Sequence, residues 1–325
     1  MKTRAPFPAL TLLLAVTFAA GAPPLAPAAE IEVAAEAIAA AQAPAVDGRA
    51  DRVWESAVPA RFTLGEGSQG SVEINLRALH TDTHLYLLVQ WTDKTESLGR
   101  VLEYSAGGWK PGRGLEDRLN IGWVIGNSIR DFPAQGCQGL CHKTEGVMRT
   151  NGPGEKMDLW YWMAQRSNPL GVADNWVMTH EPALVDGQKT GRRPDAPEGG
   201  PSEPNWNEAA RRPRFAFKPG VKPGPVLLRK DAVEIPAAAR FKAGDRLPRE
   251  VLSPPTGPRA GIEARGGWER GRWTVEIKRA LATGSPDDVQ LTGPGPFYFG
   301  VSIHDDAQKD EHAQMGRDVL RLRLK

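Results

Sequence analysis

Apolar and polar side chains alternate with a period of two at both ends of this chain and lose that period in the middle. Such a pattern confines the fold to strands packed face to face. Val72-Glu73-Ile74-Asn75-Leu76-Arg77-Ala78 and Arg272-Trp273-Thr274-Val275-Glu276-Ile277-Lys278 read as half-buried strands. Leu85-Tyr86-Leu87-Leu88-Val89-Gln90-Trp91 is an apolar run of strand length, joined to the first of these by the polar turn His80-Thr81-Asp82-Thr83-His84. The two make an antiparallel hairpin, with His80 and His84 as ordinary turn residues rather than metal ligands. Arg118 to Val124, Phe297 to Ile303 and Val319 to Leu324 are further strands, and Val46-Asp47-Gly48 leads through a short helical step that turns Trp54 inward. Strong helical periods are scarce. The expected fold class is all-β, an antiparallel sandwich in which the terminal regions pair.

From Pro182 to Pro258 the chain carries 14 of its 28 prolines. Proline removes a ladder donor and fixes φ, so no continuous sheet is expected there. The segment reads as an irregular insertion, with short extended pieces such as Val226-Leu227-Leu228, inside one domain spanning residues 30–325. Between Asp186 and Glu250 there are 14 Lys or Arg against 9 Asp or Glu. A mild excess of this kind suits a solvated loop surface, and a docking patch for an acidic partner is the sharper alternative.

The chemistry concentrates in Cys137-Gln138-Gly139-Leu140-Cys141-His142. Two cysteines followed directly by a histidine attach a c-type haem: the thiolates add across the vinyl groups and the adjacent imidazole becomes the proximal iron ligand. The usual spacing has two residues between the cysteines and this chain has three, an addition that a bulge in the loop accommodates. A structural disulfide is the alternative, but so short a loop gains little entropy on closure. Zinc lacks a second cysteine pair to complete its ligand set.

The N-terminus agrees with that reading. Residues 1–29 place Lys2 and Arg4 before the apolar run Leu10-Thr11-Leu12-Leu13-Leu14-Ala15-Val16 and end on Ala26-Pro27-Ala28-Ala29, which reads as a secretory signal peptide. The run is short for a membrane span. Export to the periplasm is expected, where c-type haem is attached in bacteria, and no integral membrane span is expected in the mature chain. Removing Lys2 and Arg4 leaves 39 basic residues facing 39 acidic ones, so no global charge argues for nucleic acid or a membrane surface. Ten Trp against four Tyr is an unusual balance that strand cores explain first, with a haem wall as a sharper option for a few.

Taken in order, several of these pieces resemble a known family. They are Val46-Asp47-Gly48 through Trp54, the hairpin ending Val89-Gln90-Trp91-Thr92-Asp93, the block Met157-Asp158-Leu159-Trp160-Tyr161-Trp162, the strand Gly271 to Glu276, and the closing Ile303-His304-Asp305-Asp306. Together they are similar to the haem-binding domain of ethylbenzene dehydrogenase, its γ subunit and related c-type cytochromes. The resemblance implies a β-sandwich like a family 9 carbohydrate-binding module, with haem at one end of the sheets and a role in electron transfer rather than catalysis. It also implies redox partner proteins: a membrane b-type cytochrome, a soluble cytochrome or a molybdoenzyme.

In the molybdoenzyme γ subunits the haem is non-covalent, held by a Met ahead of the Trp-x-Trp block and a Lys before the last strand. Here the covalent motif precedes Trp160-Tyr161-Trp162, so His142 takes the place of that Met, with Met148 close by in sequence. No Lys stands at the second position; His312 is the natural substitute, with Met315 and His304 as competitors. Asp305 and Asp306 could accept hydrogen bonds from a ligand imidazole. The expected function is thus a periplasmic monohaem c-type cytochrome carrying one haem c on Cys137, Cys141, His142 and His312. The alternative is a sugar-binding sandwich with a structural disulfide, no haem, and exposed tryptophans that stack on carbohydrate. No nucleophile, base and orienting group recur at a motif spacing that would support an enzyme.

Overall fold

A computed structural model describes residues 28–141, 147–185, 187–307 and 311–325. Four strands come first, β1 (Glu30–Ala37), β2 (Ala60–Gly67), β3 (Gly70–His80) and β4 (His84–Thr92), then a small hairpin, β5 (Val101–Ser105) and β6 (Gly108–Pro111), and β7 (Arg118–Val124). Two single-turn helices, α1 (Phe132–Gln135) and α2 (Gln138–Cys141), precede β8 (Lys156–Met163), β9 (Val172–Val185) and β10 (Gln188–Pro194). Beyond Pro194 the proline-rich region holds the three-residue strands β11 (Ser202–Pro204), β12 (Phe215–Phe217), β13 (Ala232–Glu234), β14 (Arg246–Pro248) and β15 (Glu250–Leu252). β16 (Ile262–Trp268), β17 (Arg272–Ala280), β18 (Phe297–His304), β19 (Ala313–Gln314) and β20 (Val319–Leu324) complete the chain.

The main ladder runs β1-β20-β18-β19-β2-β3-β4-β17-β16-β9-β8-β7, and β7 also pairs with β18, so the hydrogen bonding closes on itself. Two layers result. One holds β2, β3, β4, β17 and β16; the other holds β20, β18, β7, β8 and β9, and β16 turns the corner by pairing only Ile262 and Glu263 with β9. β1 lies parallel to β20 through Ala35 and then parallel to β3, which ties the terminal regions together as expected. No helix among the described residues is long and apolar enough to cross a membrane.

The core shows why the strands alternate. Val72, Ile74, Leu76 and Ala78 of β3 face Trp91, Trp273 and Trp162, and Trp162 reaches across from the other layer to meet the two other rings edge-on at 6.1 and 5.0 Å. These tryptophans are sandwich core. The β4 run is apolar on both sides because its outer face is covered too: Tyr86 and Leu88 pack with Leu79 beneath Trp54. Glu276 fixes that cover, accepting Trp54 Nε1 at 2.8 Å and the amides of Asp47 and Gly48 at 3.0 Å each. Gly48 is required there, since its φ is +85° and a β-carbon would stand 2.7 Å from the Gly267 nitrogen.

The proline-rich region departs from expectation at its start. Residues 182–194 join the main sheet as an antiparallel arm, β9 with β10, because Pro182 falls where the register shifts between Thr190 and Arg192. A bulge leaves a ladder donor without a partner, which is where proline is tolerated. Beyond it the insertion is irregular as expected, and it is organised by fully buried Asn205. That side chain donates to the carbonyls of Phe215 and Pro248 and accepts from the amides of Arg214 and Phe215.

Candidate functional site

Strand alternation sorts β18 and β7 into two faces. Phe299, Val301 and Ile303 join Leu119, Ile121 and Trp123 in the sandwich core. Gly300, Ser302 and His304 therefore face outward, opposite Gly122, Asn120 and Arg118 in register. The next strands extend this outer face: Leu159, Tyr161 and Met163 of β8 stand opposite Gly122, Asn120 and Arg118, and Trp176 and Asp174 of β9 follow.

One end of the face is apolar. Val124, Ile129, Phe132, Leu140, Met157, Leu159, Met178 and Val319 form a second cluster, with Cys137, Met148, Tyr161, Trp176 and Tyr298 packed on it. The loop through α1 and α2 lies over this cluster and turns at Gly136, whose φ is +56° and whose missing β-carbon would stand 2.7 Å from the Arg317 carbonyl oxygen. The sulfur of half-buried Cys137 then occupies the place of a β-carbon on Gly300. Gly122, paired with Gly300, clears the neighbouring position, where a β-carbon would meet the Met157 sulfur at 2.7 Å and Leu159 Cδ2 at 3.3 Å. The Cys141 backbone closes α2, while its side chain and the whole of His142 lie outside the described residues, as do residues 1–27 of the signal peptide expected over 1–29.

The other end is polar and positively charged. A cavity of about 170 Å³ is lined by Arg118, Asn120, Tyr161, Arg166, Trp176 and Arg192, among others. His304, 8% exposed, lies beside the cavity-lining Asn120, and its ring lies 5.2 Å from that of half-buried His312. Burial pushes the His304 imidazole down to about 2, aided by Arg118, His312, Arg192 and Arg166, so the ring is neutral. Asn120 holds it: the amide nitrogen lies 3.3 Å from His304 Nδ1 and 3.1 Å from Ser302 Oγ, and the amide oxygen is buried with no hydrogen bond. Fully buried Glu116 anchors the guanidinium of Arg166 and lies 3.7 Å from Arg118. Burial alone would raise its carboxyl, but Arg166, Arg118 and Arg100 together hold it below the ordinary range.

The sequence candidates are thus distributed unevenly. Cys137, Met148 and His304 belong to this one face, and His312 reaches it beside His304, its ring tilted 32° to that of His304. Met315 packs in the sandwich core. His80 and His84 serve their turn, through the Lys325 carbonyl at 3.0 Å and the Thr83 hydroxyl at 2.8 Å. Gly122, Gly300, Asn120 and Arg192 were not singled out from sequence. Glycine inside an alternating strand is the signal that could have found the first two, since it marks close approach of another group.

A sequence model of the ethylbenzene dehydrogenase family matches residues 31–315. The chain belongs to the ethylbenzene dehydrogenase family. Membership associates it with enzyme complexes of several subunits, and so with protein partners. No curated protein is significantly similar to this family member. Among solved structures, a family 9 carbohydrate binding module from Caldicellulosiruptor kristjanssonii aligns at TM-score 0.35 and 10% identity, both in complex with glucose and in complex with cellotriose. The alignments cover 91% of this chain and 96% and 94% of those chains.

Proposed function

We propose that this member of the family is a monohaem c-type cytochrome that passes single electrons between redox partners in the periplasm, without substrate chemistry of its own. The observation that carries the reading is the outer face of β18, β7, β8 and β9. Cys137 lies at one end of it, over paired glycines, and a neutral imidazole lies at the other, four residues along the same strand. Four residues of strand span roughly 13 Å, a reach that suits a haem edge at the cysteines and an iron toward the histidines.

The donor set fits such a group. Haem c bound here would supply a one-electron couple whose potential follows its axial ligands. Cys137 and Cys141 would hold it through thioethers, and His142 and His312 would be its iron ligands, with the His304 ring 5.2 Å from that of His312. Asn120, with its amide turned so that the oxygen accepts His304 Nδ1–H, would fix the tautomer and leave Nε2 free. Arg118 and Arg192 bring positive charge to the cavity, where anionic propionates would be welcome. The sugar-binding alternative needs exposed tryptophan, whereas the exposed large apolar side chains among the described residues are Val58, Leu184 and Val233.

Denaturing electrophoresis of the exported protein, followed by haem peroxidase staining, tests the proposal. A stained band that disappears in Cys137→Ser/Cys141→Ser is the expected result. A colourless protein, expressed alongside haem-attachment machinery, would overturn it.

A further inference from the structure

Three carboxylates meet at one end of the sandwich, away from the cysteine loop: Asp93 directly after β4, Asp117 directly before β7 and Asp305 directly after β18. Each offers an oxygen within 4.8 Å of the others. Asp117 is fully buried and Asp93 nearly so. One oxygen of each is engaged, Asp117 Oδ2 by the Ser97 amide at 2.7 Å and by Trp273 Nε1 at 3.1 Å, and Asp93 Oδ1 by the Thr95 amide at 2.9 Å. The other oxygen of each, Asp117 Oδ1 and Asp93 Oδ2, is buried with no hydrogen-bond partner.

Several buried carboxylates elsewhere are paired, although Asp158 Oδ1 and Asp195 Oδ1 are also buried with no hydrogen bond. Glu116, Asp174 and Asp288 each face an arginine, Arg166, Arg259 and Arg279 respectively. No ion pair among the described residues involves Asp93, Asp117 or Asp305. Buried charges are normally paired or bound to metal, and a buried oxygen with nothing to accept is destabilising. A donor set of carboxylate oxygens alone selects a hard cation, and oxygens within 4.8 Å of one another can share a shell of roughly 2.3–2.6 Å radius, the Ca²⁺–oxygen distance.

We infer that Asp93, Asp117 and Asp305 bind a Ca²⁺ ion that ties the end of β4, in one layer, to the adjoining ends of β7 and β18 in the other. Asp117 Oδ1 and Asp93 Oδ2 are single-oxygen ligands, Asp305 is the third, and water fills the remaining positions. The site is independent of the haem reading, since none of its ligands belongs to the outer face described above.

Terbium is the probe, because Trp273 donates to Asp117 and stacks on Trp91, so tryptophan excitation would sensitise an ion held there. Chelator-treated full chain should show saturable sensitised emission that Ca²⁺ displaces. Asp117→Asn should weaken Tb³⁺ binding at least about tenfold, and exposed Asp131→Asn should leave it unchanged. Millimolar Ca²⁺ should raise the thermal midpoint of the wild type by on the order of 5 °C. Should Asp117→Asn not fold, Asp305→Asn carries the same comparison. The inference is overturned by the absence of saturable emission together with a Ca²⁺-independent midpoint, or by emission that the folded aspartate variants leave unchanged.

Discussion

The sulfur of Cys137 rests on Gly300, in the place that a β-carbon would take on any other residue. Sequence separation of more than a hundred and sixty residues thus ends in direct contact between the cysteine loop and the strand that carries His304. Gly300→Ala should push the loop off β18, costing about 1–3 kcal/mol in urea unfolding and lowering haem content per chain. Gly122→Ala meets the side-chain ends of Met157 and Leu159, which can shift, and should cost less. Equal effects of the two substitutions would show that the sulfur contact does not position the loop.

The opposing ligand separates by spectrum and stability together. His312→Ala should give a high-spin or water-ligated haem that stays covalently attached. Met315→Ala should leave the low-spin spectrum intact while lowering stability by roughly 2–4 kcal/mol, because Met315 fills the sandwich core. If His312→Ala is silent and His304→Ala changes the spin state, the ligand is the other member of this histidine pair. A spin change in Met315→Ala would move the assignment out of this face altogether and predict a higher reduction potential.

Glu276 should behave as a structural acceptor. It serves three donors from the segment that covers β4, so Glu276→Ala would strand the Trp54 indole and two amides. A loss of about 2–4 kcal/mol is expected. Glu276→Gln keeps the hydrogen-bonding shape and should lose markedly less. Tryptophan fluorescence during unfolding reads both, and a smaller loss in Ala than in Gln would refute the acceptor role.

Stability should fall as pH rises from about 4 to 8. Burial pushes Asp158 up to about 7, against the pull of Arg279, and burial with neighbouring Asp288 pushes Asp195 up to about 8. Both carboxyls hold a proton in the folded chain at a pH where the unfolded chain has released it. Their stabilisation is complete below about pH 4 and is lost as pH passes through 7 and 8, on the order of a few kcal/mol for the pair. Urea midpoints should therefore drop between pH 5 and pH 8, and Asp195→Asn should flatten the slope. An unchanged slope in that variant would exclude Asp195 as a source.

The sequence by itself determined which segments become strands and where they stop. Alternation in β3 and β17 and the turn at His80 to His84 were legible because burial on one face dictates the side-chain pattern residue by residue. β1 and the β9–β10 arm were less legible. Glu30 to Ala37 is alanine-rich and finds its place only between β20 and β3, and Pro182 is acceptable in a strand only because its own strand bulges there opposite Gly191. Cys137, His304 and His312 were visible as residue types with suitable chemistry. Only the tertiary structure put Cys137 on Gly300, His304 against His312, and Met315 inside the core, because the direction of each side chain is set by register with strands far away in sequence. The three aspartates carried no motif at all. Their proximity arises where β4, β7 and β18 end together, a consequence of layer packing that no local pattern encodes.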